Sequence, residues 1–150
     1  MREDSMRVML YLAERMTKDP GLRRKLRALR EADPPEAWTA LYTAPGAEEL
    51  PDELLRAMGL LSGHYEHVPG RHPAELLASR GPGGERRLHE LLRSKTPLDL
   101  AWELIRLSKY LDGELDYGLL EEALRAWGRL EKIRWIRKFS AHKEKTNEDY

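Results

Sequence analysis

The chain has no cysteine among its 150 residues. That excludes disulfides and thiolate metal sites, and it fits a reducing compartment. No stretch approaches the roughly 20 apolar residues a membrane-spanning helix needs. The first twenty residues hold no apolar run followed by a small-residue cleavage site, so no secretory signal is read there. The expected location is the cytoplasm, with no membrane partner. Net charge is also lacking, since 26 Lys and Arg balance 26 Asp and Glu. β-branched residues are scarce, and no segment of four or more residues alternates as a strand. Missing too are a Gly-rich phosphate loop, a GxSxG elbow and a recognisable catalytic carboxylate pair. The chain is therefore read as non-enzymatic and without a cofactor.

What is present is a helix-forming sequence. Leu, Ala, Glu and Arg dominate, and they lose little side-chain freedom in a helix. Helices are predicted near 4–17, 20–31, 34–43, 51–64, 73–80, 85–94, 97–111, 116–127 and 129–141, which makes the fold class all-α with eight to nine short helices. Asp19-Pro20, Asp33-Pro34 and Thr96-Pro97 each put a capping side chain before a proline, and Asp116 is expected to cap in the same way. A chain of this length buries roughly 70% of its unfolded surface, enough for a core. The turn-rich segments 65–73 (YEHVPGRHP) and 81–84 (GPGG) divide the chain into two packed lobes of one protein, 1–150. The N-terminal lobe spans about 4–65 and the C-terminal lobe about 85–141, with a polar tail at 143–150 expected to fray.

The charge is balanced overall but segregated locally. Acidic segments occur at 47–53 and 112–122, basic ones at 21–30, 86–95 and 129–145. At about 100° per residue, Leu22, Leu26 and Leu29 form one apolar stripe, with Arg23, Arg27 and Arg30 on one flank, Arg24 beyond them and Lys25 on the opposite side. In the last helix Ile133, Ile136, Phe139 and Trp135 are read as apolar, and Arg134, Arg137 and Lys138 as a basic flank. Such flanks serve either as solvated faces or as a surface for an anionic backbone, and zero net charge does not exclude the second, because local potential decides. Trp38, Trp102 and Trp127 are expected in the core. Trp135, nearest the polar boundary, is expected to pack between lobes, with stacking on a base as the other use. His64, His67 and His72, with Glu66 nearby, invite a zinc reading. Their spacing across a helix end and a Pro-Gly turn favours a surface or interface role, so no metal site is expected.

The order of elements resembles the CasB family, the small subunit of the type I-E CRISPR Cascade complex. "LRRKLRALREADPPEAWTALY" is similar to that family's short basic helix, proline break and aromatic-centred helix. "GGERRLHELLRS" is similar to its Glu-Arg-Arg-hydrophobic helix, and "LDYGLLEEALRAWGRLEKIRWIRKF" to its closing pair. The resemblance covers about residues 5–141. Where the family has a longer basic, Gly-containing stretch, this chain has "GRHPAELLASR", with only Arg71 and Arg80.

The resemblance implies a non-catalytic, RNA- and DNA-binding role in antiviral defence. The protein would assemble with the backbone and large Cascade subunits, and with a second copy of itself head to tail. It would steady the guide RNA–target heteroduplex and the displaced DNA strand of the R-loop through sequence-independent phosphate contacts. Candidate contacts are Arg23, Arg24, Lys25, Arg27 and Arg30, then Arg86, Arg87 and Arg93, then Arg129, Lys132, Arg134, Arg137 and Lys138. Replacing Arg23, Arg27 and Arg30 is expected to weaken binding without unfolding the protein. The alternative is a helical protein–protein adaptor whose charged faces serve assembly alone. A helix-turn-helix regulator fits less well, because no short second helix carries base-reading side chains.

Overall fold

A computed structural model describes residues 8–148, with side chains to Glu144. The predicted start of the first helix, residues 4–7, lies outside the described residues. Among those described there are nine α-helices: α1 Val8–Lys18, α2 Gly21–Arg27, α3 Pro35–Thr43, α4 Asp52–His64, α5 Pro73–Ala78, α6 Pro82–Leu92, α7 Pro97–Arg106, α8 Tyr117–Arg125 and α9 Arg129–Glu148. The fold is all-α. None of the described helices is long and apolar enough to cross a membrane.

Helix α4 is the axis of the packing. Residues 57–63 are all buried, which is the mark of a helix enclosed on every side. Helices α1, α2, α7 and α8 pack against it. The approach of α2 is close because Gly63 has no side chain; a Cβ there would lie 2.8 Å from the backbone N of Arg27. Helix α9 lies mainly along α5. A two-residue parallel bridge, Glu66–His67 with Glu114–Leu115, ties the chain leaving α4 to the chain entering α8.

The helix ends repay inspection. Thr96 forms a reciprocal capping box with Asp99, and the Asp116 carboxylate accepts from the backbone N–H groups of Gly118 and Leu119. Asp19 and Asp33 do not cap, since Pro20 and Pro34 occupy the cap positions. Asp33 instead accepts from Trp38 Nε1 at 3.1 Å and Arg56 Nη2 at 2.6 Å. Helix α6 begins three residues before its predicted start, at Pro82 rather than residue 85. The glycines there look like a loop but make a contact: a Cβ on Gly84 would stand 1.9 Å from the Leu77 carbonyl oxygen. Helix α7 ends at Arg106, short of the predicted 111, and the chain turns through Asp112 (φ 62°) and Gly113 (φ 65°). The last helix continues well past 141, so most of the tail expected to fray is helical.

Candidate nucleic-acid interface

The first basic segment is divided between two tasks. A helix leaves its last four carbonyls without intrahelical partners, at the negative end of its dipole. The end of α4 is buried, so those carbonyls need donors. Arg23 and Arg27, one turn apart on α2, supply them. Arg23 Nη1 donates to the Ser62 and Tyr65 carbonyls, each at 3.1 Å, and Arg27 Nε donates to Gly63 at 2.7 Å. The buried Tyr117 hydroxyl also reaches both the Ser62 and Tyr65 carbonyls, with one proton to share between them. Arg23 is thus half-buried inside the fold, although its helical position suggested a free flank. Lys25 faces Glu36 at 3.7 Å. Arg24, Arg27 and Arg30 are exposed, and the Arg30 guanidinium lies over the Trp102 ring, 5.4 Å from its centre.

The second basic segment surrounds the turn from α6 to α7. Exposed Arg86 is 4.0 Å from Glu90. Arg87 turns back to the Gly83 carbonyl and sits 4.1 Å from the centre of the Tyr110 ring. Arg93 lines an open cleft of about 420 Å³ together with Ser94, Lys95, Trp102 and Arg106. Carboxylates also line it, but each has a partner: Glu90 has Arg86, Glu103 has Arg106 at 3.1 Å, and Asp99 accepts from Thr96 N–H. Trp102 is half-buried, at the rim of the core where the sequence put it inside.

Helix α9 has a different buried face from the predicted one. Glu131, Trp135 and Phe139 point inward, while Leu130 is 72% exposed and Ile133 and Ile136 are each 44% exposed. An indole has more apolar surface to bury than an isoleucine, and its N–H needs a partner once buried. Trp135 meets both demands. Its Nε1 donates to the buried Glu131 carboxylate at 3.1 Å, and its ring meets His72 and Trp127 edge-on at 4.8 and 5.1 Å. It is fully buried, so stacking on a base is excluded for this residue. Arg129, Arg134, Arg137 and Lys138 are exposed along the outer side, with Arg134 3.5 Å from Glu131. Lys132 lies over the Trp127 ring at 5.6 Å.

Parts of the three segments meet through two tryptophans. Arg30 reaches Trp102, which lines the cleft with Arg93 and Lys95. Trp127 donates its Nε1 to the Ser94 carbonyl at 2.9 Å and carries Lys132 on its ring. Lys25, Arg86 and Arg87 stand outside this series of contacts, directed toward Glu36, Glu90 and Tyr110. Lys95 and Trp102 were not among the expected contacts. Lys95 is readable as the last cation of its segment; the position of Trp102 depends on tertiary packing.

The three histidines do not share a site. His67 Nδ1 accepts from Tyr117 N–H and His72 Nδ1 from Ala74 N–H, both at 3.0 Å. His72 is 2% exposed, buried in the fold and not at the surface. Burial, aided by Lys138, pushes its pKa down to about 3. His64 is also held below the usual imidazole range, by burial and then by Arg27 and Arg30, and its Nε2 has no hydrogen-bond partner among the described residues. Among the described residues no group of three His, Cys, Asp or Glu side chains could hold a metal ion.

The family described as CRISPR-associated protein Cse2 matches residues 13–139. The crystal structure of CasB from Thermus thermophilus superposes with a TM-score of 0.70 at 21% identity, over 91% of this chain and 97% of that one. No curated protein sequence matches the chain.

Proposed function

The chain belongs to the CRISPR-associated Cse2 family, and we propose that it is a non-catalytic subunit of a type I-E Cascade complex, holding nucleic acid by its phosphates. The heteroduplex of guide RNA and target, and the displaced DNA strand, are its ligands. Base pairing supplies specificity in RNA-guided binding, and a protein that adds backbone contacts tips a nearly balanced strand exchange. Arginine suits this work because its planar fork pairs bidentately with phosphate.

The observation that carries the reading is the series of cations from Arg30 through Arg93 and Lys95 to Lys132, joined by Trp102 and Trp127. Arg24, Arg129, Arg134, Arg137 and Lys138 extend it on exposed surface. Arg23 holds the end of α4 and acts from behind.

Gel shifts of single-stranded DNA, duplex DNA and RNA–DNA heteroduplex at low and moderate salt test this. The wild type is expected to bind with a steep salt dependence. Charge reversal of Arg93 and Lys132 together is expected to abolish the shift at moderate salt. Binding that survives the reversal with its salt slope intact overturns the interface.

One observation favours the adaptor reading, in which the charged faces serve assembly alone. Leu130, Ile133 and Ile136 leave an apolar stripe on the outer side of α9, suited to a neighbouring subunit. Under the main reading this stripe, with the acidic segments, serves the backbone and large subunits and a head-to-tail second copy. A wild-type protein that shifts no nucleic acid at either salt favours the adaptor.

A further inference from the structure

We infer that the cleft between α6 and α7 takes one unpaired nucleotide of a single strand, with its base stacked on Trp102 and its phosphate on Arg93 and Lys95. This rests on the nucleic-acid reading above and adds a base-binding element to it. The cleft, at about 420 Å³, falls in the range of small-molecule sites, about 300–1,000 Å³. Trp102 is half-buried in its wall and carries Arg30 on its ring. An indole face beside a guanidinium is how proteins hold unstacked bases without reading sequence.

The charges around the cleft leave two cations without a partner in it. Glu103 and Arg106 pair with each other, Asp99 is occupied in capping α7, and Glu90 lies near Arg86. Arg93 and Lys95, exposed on either side of Ser94, have no carboxylate partner among the described residues. They are the cations free for a phosphate. A paired base has its edge occupied and its faces stacked, so the site selects a single strand over a duplex.

The test compares a short deoxycytidine strand with a strand of equal length whose sugars carry no base, using the full chain and titrating each at low salt. Wild type is expected to bind the intact strand at least about fivefold more tightly. Trp102→Ala is expected to bring the two affinities together by weakening only the intact strand, and Trp102→Phe to restore most of the difference. Equal affinity of the wild type for both strands overturns the cleft as a base site while leaving the phosphate reading in place. Binding of neither strand overturns both. The wild-type comparison needs no variant to fold, and the Phe variant keeps an aromatic ring in the wall.

Discussion

In α2 two arginines one turn apart, half-buried Arg23 and exposed Arg27, close the carbonyl end of α4. In α9 the equivalent cations stay outside, and an acid, Glu131, goes in beneath the Trp135 indole. Both helices read alike on a helical wheel, as an apolar stripe with a basic flank. The difference comes from what each packs against. Helix α2 lies on a buried helix terminus with carbonyls to satisfy. Helix α9 lies on α5 and Trp127, where a buried indole N–H needs an acceptor. A basic flank is therefore structural or free according to the polar groups of its neighbour, not its own sequence.

Five measurements can break or sharpen this contrast. Trp135→Ala, which removes the largest buried side chain of α9, is expected to cost about 3–5 kcal/mol in urea denaturation. Gly63→Ala, which drives a methyl into the backbone of α2, should cost about 1–3 kcal/mol. Arg23→Ala leaves the Ser62 and Tyr65 carbonyls to share the Tyr117 hydroxyl proton and should cost about 1–2 kcal/mol. If it proves as harmless as Arg137→Ala on the outer side of α9, the division between the helices is wrong.

The next measurement uses pH. Folded His72 stays neutral to about pH 3, whereas the unfolded chain protonates it below about pH 6.5. Its contribution to stability is therefore complete above pH 6.5 and lost progressively as pH falls toward 3, with a slope of up to about 1.4 kcal/mol per unit. His72→Asn keeps a capping acceptor and should flatten the stability–pH curve in that window. The smallest effect belongs to Arg137→Ala. Its unfolding free energy should stay within about 0.5 kcal/mol of wild type, while the log–log salt slope of nucleic-acid binding falls by about 1.

Much of this was readable before the fold was known. Helical periodicity placed the nine helices, and Thr96 and Asp116 cap as their local sequence requires. The phase of α9 was not readable, because periodicity treats Ile133, Trp135 and Ile136 as equally apolar and cannot see the space between α5 and Trp127. The inward turn of Arg23 was hidden too, since its partners are carbonyls that every residue type carries. The cleft escaped notice because Trp102 sits among Leu and Ala like a core residue, and Arg30 meets it only after α2 and α7 have both docked on α4.

The first helix has a debt to the end of the chain. The backbone N–H of Met9 donates at 2.7 Å to the buried carboxylate of Glu121, 112 residues later. At a synthesis rate of about 5–20 residues per second, a nascent chain waits on the order of 6–20 s between making the donor and making its acceptor. Helix α1 can form early by its own propensity, but its docked position is completed only when α8 has left the ribosome. A truncated product ending before Glu121 lacks that anchor, so the start of the chain registers whether the end has been made.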